Sequence, residues 1–340
     1  MIKKRIKRVS LKDIAEKVGV STALVSYVLN GQEKEKRVGA EVVLKIRKVA
    51  KQMNYVPNQI ARSLRKGVTK TIGLVVADIA NPFFGAMARI IEDEANRFGY
   101  TVVFGSSDED SNKSNILVDT LLNRQVDGFI IVPSEGCNDC IRKLVKNEMP
   151  VVLVDRYFPD IITNYVVLNN RGASFEAVSH LIEKGFRQIG MIAYRSTMIH
   201  IQERIRGYEE AMRANGLEKN IRIKYVRYDN VNVDTEKAIR EMTARGAKID
   251  ALFFANNTLS IAGLYYINKN NIKIPESLGL IAFDESEAFD FFYCPLTYVK
   301  QPVDEMGKEA VNVLVEQING SKKIAHIELI HQLVKRQSCR

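Results

Sequence analysis

Between residues 71 and 284, one apolar run after another ends in residues that make strong hydrogen bonds. TIGLVVA (71–77) leads into Asp78 and then NPFF (81–84), and YTVVFG (100–105) into Ser106, Ser107 and Asp108. GFIIV (128–132) leads into Pro133 and Ser134, and VVLVD (151–155) closes on Asp155 with Arg156 behind it. Further on, Tyr194, Asp229, Asn256 and Asp284 stand at the same kind of position. Planar donors and acceptors beside aromatic faces are what a polyhydroxylated ligand needs. A polar residue after a strand also caps the next helix, and for Asp78 and Asp108 that reading is equally good. Neither GxGxxG nor GxxxxGK[ST] occurs at a strand–helix turn, so no nucleotide cofactor is expected. The four histidines (180, 200, 326 and 331) are scattered, with no Ser-His-Asp or HExxH arrangement. Cys137 and Cys140 have CxxC spacing, but zinc needs a second pair and none is near in sequence. The pattern is one of binding without catalysis: the chain is expected to be no enzyme, and no metal is expected.

The elements that position these residues alternate. The apolar runs continue with YVVL (165–168), IGMIAY (189–194), IKYVRY (223–228), ALFFA (251–255) and LGLIAF (278–283). Helical periodicity lies between most of them, at 83–98, 112–124, 137–147, 171–184, 203–215, 234–245, 258–270 and 303–319. Continuous apolar strands separated by helices predict an α/β fold of doubly wound parallel sheets. Nine strands divide best into two sheets, with a break near Asn169, and ligands then gather at the strands' carboxyl ends.

The first fifth of the chain is different. Residues 1–70 hold 18 Lys and Arg against 5 Asp and Glu, whereas the remainder is slightly acidic. A compact basic segment on a near-neutral body points to an anionic polymer as partner. Leu11, Ile14, Ala15 and Val18 recur at helical spacing after Ser10, and Gly19 ends that helix. Ser21 or Thr22 caps a second helix burying Leu24, Val25, Val28 and Leu29, and 41–53 forms a third. Two short helices about a glycine turn predict a helix-turn-helix. The second helix carries no charge and presents Thr22, Ala23, Ser26 and Tyr27, small and hydroxyl-bearing residues suited to base edges in a major groove. PNQIARSLRKG (57–67) follows, a basic helix of about two turns, too short to be stable alone. Its leucine, Leu64, is suited to wedge between minor-groove base steps.

Taken together, SLKDIAEKVGVSTALVSYVLNG, YVPNQIARSLRKG and TIGLVVADIANPFF resemble the lactose-repressor/galactose-repressor (LacI/GalR) family of transcription regulators along nearly the whole chain. The resemblance implies base contacts from Thr22, Ala23 and Tyr27, with Ser26 on the same face. It implies minor-groove contacts from Asn58, Ala61, Leu64 and Arg65. Effector binding is implied for Phe83, Phe84, Asp155, Arg156, Arg204, Asn256 and Asp284. Arg204 offers a rigid donor fork to a hydroxyl or a carboxylate. Tyr27 stands where the family often has Arg or His, and Asn257 where Asp is common.

The resemblance further implies a headpiece at 1–56, a hinge at 57–68 and a periplasmic-binding-protein-like core at 69–340. Within the core, an N-subdomain of about 69–168 plus 300–322 would face a C-subdomain of about 169–298 plus 323–340, with crossovers near Asn169, Val299 and Lys322. A homodimer is expected to read a pseudo-palindromic double-stranded operator. Its implied contact helix carries Met87, Ile90, Ile91 and Ala95. A small effector, a sugar or sugar derivative, would set operator affinity. The alternative is a solute-binding receptor with the same core and no DNA role. Against it stand the basic segment and an N-terminus without the apolar stretch of a signal peptide, which also make the cytoplasm the expected location. No apolar run approaches the ~20 residues of a membrane helix.

Overall fold

A computed structural model describes residues 9–55, 67–244 and 249–339. The chain separates into two compact units, Met1–Thr69 and Lys70–Arg340.

In the first unit, α1 (Leu11–Val18), α2 (Thr22–Leu29) and α3 (Ala40–Gln52) close a small core on Ile14, Val25 and Ile46, each fully buried. Ser10 and Asp13 cap α1 reciprocally: the Asp13 amide donates to Ser10 Oγ at 3.2 Å, and the Ser10 amide donates to Asp13 Oδ2 at 2.7 Å. Gly19, at φ 81°, makes the left-handed stop that turns the chain into α2. Of the two candidate caps, Ser21 takes the role, its hydroxyl accepting from the Leu24 amide. The third helix starts one residue before the expected Glu41, with Gly39 at the cap and no side-chain hydrogen bond there. Instead, the long loop before it folds on itself, with Val38 N donating to Glu33 O and Glu33 pairing with Arg47 at 2.6 Å.

The second unit holds two six-stranded sheets of the same design. In one, β1 (Thr71–Val76), β2 (Thr101–Ser106), β3 (Gly128–Ile131), β4 (Val151–Val154), β5 (Asn164–Leu168) and β11 (His326–Leu329) lie in the order β11-β5-β4-β3-β1-β2. In the other, β6 (Ile189–Tyr194), β7 (Arg222–Val226), β8 (Ala251–Phe254), β9 (Gly279–Phe283), β10 (Thr297–Lys300) and β12 (Gln332–Val334) lie in the order β12-β10-β9-β8-β6-β7. All pairings are parallel except β10 with β12. The inner strands β1, β3, β4, β8 and β9 read as unbroken apolar runs because both faces are covered. In β1, Ile72, Leu74 and Val76 join one core cluster while Val75 joins another on the opposite face. On the first of these faces, helix Val303–Ile318 lies against helix Pro82–Arg97, with Gly307 over Ile90.

Three expectations need correction. The nine expected strands leave out β10, β11 and β12, which are short and lie toward one edge of their sheets. Along β11 burial merely alternates between exposed and partial, so no apolar run marks it. The third crossing between the sheets falls between Leu329 and Gln332, not near Lys322, because β11 still pairs with β5 of the first sheet. The second falls between Lys300 and Val303, just past Val299. Finally, Met87, Ile91 and Ala95 are fully buried in the core of their own subunit and cannot form a dimer face.

Helix Asn170–Glu183 crosses helix Ile199–Ala214 so closely at Gly207 that a β-carbon there would stand 2.2 Å from Arg171 O and 2.9 Å from Ser174 Cβ. Gly207→Ala is therefore expected to cost about 1–3 kcal/mol through overpacking. A lowered midpoint in urea unfolding, read by circular dichroism, checks this, and an unchanged midpoint refutes the close crossing.

Candidate functional site

Each sheet turns its carboxyl edge toward the other, and the residues that follow the strands meet in a cavity of about 150 Å³. All seven residues expected at the effector site line it: Phe83, Phe84, Asp155, Arg156, Arg204, Asn256 and Asp284. Asp155 follows β4 and Asp284 follows β9, and the two share a left-handed backbone at φ 68° and 69°. Non-glycine residues rarely adopt it, and it recurs where a side chain must be held at a site. Asn81 and Asn256 cap the helices that follow their strands, accepting from Phe83 N and Leu259 N. Of the two residues with an even choice of role, Asp78 lines the cavity and Asp108 does not; Asp108 is exposed and bonds to Ser106 and Lys113.

Arg204 is 2% exposed. Its Nε donates to Asn170 Oδ1 at 2.8 Å and its Nη1 to Ala255 O at 2.7 Å, with Asp284 Oδ2 at 3.9 Å from Nη1. The Phe283 ring lies 3.6 Å from the guanidinium carbon, a cation–π contact. Burial lowers the Arg204 pKa, with Asp284 and Asp155 acting against the shift. Burial also raises the pKa of Asp155, and the two arginines oppose it. Asp284 in turn accepts from Gln301 Nε2 at 2.6 Å. Tyr194 and Tyr228 stack at 3.8 Å between centroids, and burial pushes the Tyr194 phenol up to about 12. Both sugar-sized hydroxyl partners and a flat apolar wall are thus present in one place.

The sequence reading missed Glu109, His200, Tyr228, Thr258 and Gln301, which also line the cavity. Tyr228 and Glu109 each sit one position away from an acid that reading named, Asp229 and Asp108. His200 and Gln301 carry buried atoms, Nδ1 and Oε1, with no protein partner. An unpaired buried polar atom is costly, and both belong to residues that line the cavity. Signal for them lay only in their place beside Arg204 and at the end of β10.

In the headpiece, Thr22 and Ala23 are exposed and Tyr27 is half-buried, with Lys36 Nζ 5.8 Å from its ring centroid. Ser26 is corrected: it is 8% exposed, and its hydroxyl and carbonyl both accept from Asn30 Nδ2, at 3.1 and 2.7 Å. It therefore fastens the end of α2 and presents nothing outward. Asn58, Ala61, Leu64 and Arg65 lie outside the described residues. Among the described residues no group of acids, histidines and cysteines is placed to hold a metal ion, and Cys137 and Cys140 are buried with Cys140 Sγ bonded to Cys137 O. No helix among them is long and apolar enough to cross a membrane.

A helix-turn-helix followed by two matched sheets around a polar cleft defines a regulator that couples a DNA headpiece to a ligand-binding body. Residues 10–58 match the family of bacterial regulatory proteins called the lacI family, and residues 178–339 match a periplasmic binding protein-like domain. The transcriptional repressor PurR of Aliivibrio salmonicida is 30% identical over 97% of this chain and 98% of its own. The transcriptional repressor CytR of Escherichia coli K12 is 29% identical over 94% and 92%. A solved complex of the transcriptional regulator CelR with cellobiose superposes with a TM-score of 0.71 at 27% identity, covering 97% of this chain and all of that one. The chain belongs to the lacI family: it is a DNA-binding transcription regulator and not an enzyme.

Burial, then Arg156 and Arg204, hold the His200 imidazole well below the ordinary histidine range. Below about pH 6.5 the unfolded chain takes up a proton that folded His200 refuses, so stability falls with pH there, by up to about 1.4 kcal/mol per pH unit from this group. His200→Gln is expected to flatten the fall in Tm between pH 7 and pH 5. An unaltered slope would show that His200 is protonated in the fold.

Proposed function

We propose that the chain is a repressor that works in the cytoplasm, binds a pseudo-palindromic operator as a homodimer, and responds to a sugar or sugar derivative held between its two lobes. The observation that carries this reading is the meeting of Phe83, Phe84, Asp155, Arg156, Arg204, Asn256 and Asp284 in one cavity. Acids and amides bind hydroxyl pairs, and the aromatic rings take a sugar's apolar face. The CelR neighbour was solved with cellobiose, which supports the ligand class. A cavity of about 150 Å³ lies below the ~300–1,000 Å³ of drug-sized pockets and favours a single small ring.

The headpiece (1–56) reads base edges with Thr22, Ala23 and Tyr27. The hinge (57–68) places Asn58, Ala61, Leu64 and Arg65 at the minor groove. The second copy lies against the edge strands β2 and β7 and their flanking helices, where Phe104, Ile116, Tyr225 and Val233 are exposed. A ligand shifts operator affinity only by binding one arrangement of the lobes better than another. Polar bridges between the lobes supply the closed arrangement. Ser196 Oγ and Thr197 N donate to the Glu135 carboxylate at 2.9 and 3.0 Å, and Asn257 Nδ2 donates to Asn81 Oδ1 at 3.1 Å.

Arg204→Ala removes the cation that Asp284 and Asp155 depend on. Effector affinity is expected to fall at least a hundredfold, about 2.7 kcal/mol, while operator binding without effector persists. Operator titrations with and without sugar check this, and a normal response would refute the assignment. In the headpiece, an arginine in place of Tyr27 would offer guanine a bidentate contact that a phenol cannot. Binding selection with wild type and Tyr27→Arg is expected to yield different half-sites. Identical half-sites would show that Tyr27 does not read sequence.

A further inference from the structure

We infer that the effector carries no negative charge, and that Glu109 sets this preference by occupying the guanidinium fork of Arg156 that a carboxylate or phosphate on the ligand would otherwise take. The inference rests on the sugar reading above and narrows it to uncharged or amine-bearing sugars.

Arg156 lines the cavity with its side chain 4% exposed. A buried arginine in a ligand cavity is the natural seat of an anion, because its parallel N–H groups match two carboxylate or phosphate oxygens. In this protein the seat is filled from within. Arg156 Nη1 donates to Glu109 Oε2 at 2.7 Å and Nη2 donates to Glu109 Oε1 at 2.8 Å, a bidentate pair. Nε donates to Asp155 Oδ2 at 3.2 Å, and Nη1 also reaches Pro133 O at 3.4 Å. Of five N–H groups, a single one on Nη2 is left.

Glu109 is built to stay there. Its amide donates to Ala77 O at 2.9 Å, and its left-handed backbone, φ 58°, turns the chain before the helix Ser111–Asn123. Its side chain is 18% exposed, so water does not screen the pair as it would at the surface. Burial opposes the charge on Arg156, yet the Glu109 carboxylate outweighs it and raises the arginine's pKa.

Arg204 is a poor replacement. Its Nε and one N–H of Nη1 serve Asn170 and Ala255, Phe283 covers one face, and the N–H groups left on Nη1 and Nη2 stand beside a carboxylate already present, with Asp284 Oδ2 3.9 Å from Nη1. The other acids on the wall are Asp78, Asp155 and Asp284, so four carboxylates face two guanidinium groups, with His200 held neutral. An anionic ligand entering this cavity meets an excess of its own sign, with the Arg156 fork occupied by Glu109 and Asp284 already beside Arg204. A neutral sugar meets acceptors for its hydroxyl groups.

The test compares ligands of one shape and different charge on the full-length protein. Calorimetric titration would use glucose, glucosamine, glucuronate and glucose 6-phosphate, together with ribose and ribose 5-phosphate. In wild type, a neutral or amine-bearing sugar is expected to bind at least a hundredfold more tightly than its own acid or phosphate. Glu109→Gln frees part of the fork and is expected to shrink that ratio at least tenfold. Glu109→Asp keeps the charge and is expected to retain most of it. Wild-type affinity for an acid or phosphate equal to or above that of the parent sugar would overturn the inference while leaving the sugar reading intact. So would an unchanged ratio in a Glu109→Gln protein whose circular dichroism and Tm match wild type. If no sugar of any charge binds wild type or variant, the sugar reading itself fails, and this inference falls with it.

Discussion

Two guanidinium groups buried in one cleft set the terms for the rest of this molecule. A buried cation survives only with acids and carbonyls placed around it. Arg156, on the first lobe, finds Glu109 and Asp155 there; Arg204, on the second, finds Asp284, Asn170 and Ala255. The acids come from loops after β2, β4 and β9, so those strands must end in register for the charges to be satisfied. The left-handed backbones at Asp155 and Asp284 are the local cost of that placement. Because Asp155 feels Arg204 as well as Arg156, the charge balance of each lobe depends on the other.

The headpiece divides its labour by charge. Helix α2 holds no charged residue, while the basic residues lie before and after it in sequence. A recognition surface of small and hydroxyl-bearing side chains approaches base edges closely, and flanking cations supply affinity that does not depend on sequence. The burial of Ser26 sharpens this division, since of the four residues expected on the outer face only Thr22, Ala23 and Tyr27 remain open to solvent.

Much of this was legible in the primary structure. The helix-turn-helix could be read because Ser10, Ala15 and Gly19 each have one local job, set by backbone geometry. The strands β1, β3, β4, β8 and β9 were plain because burial on both faces makes every residue apolar. Strand β11, only partly buried, carries no such stripe, and so the last crossing between the lobes was placed too early. The cavity lining was legible where residues follow strands or belong to a motif. Glu109, His200 and Gln301 were missed because their importance lies in what stands opposite them in space. Ser26 was misjudged for a related reason: helical spacing put it on the outer face, but Asn30, four residues on, draws its hydroxyl in.

The three crossings between the lobes have a mechanical consequence. They leave β5, β10 and β11, and in each sheet the strands concerned are neighbours: β11 beside β5, and β12 beside β10. Three spans side by side along one margin act like a strap hinge. Such a strap bends readily about one axis and resists twist and slide, because either would stretch one span against the next. Opening and closing therefore reduce to a single angle, and a ligand a few ångströms across sets that angle for the whole body. The far ends of the lobes sweep a longer arc than the cleft does, which makes the fold a lever as well as a clasp.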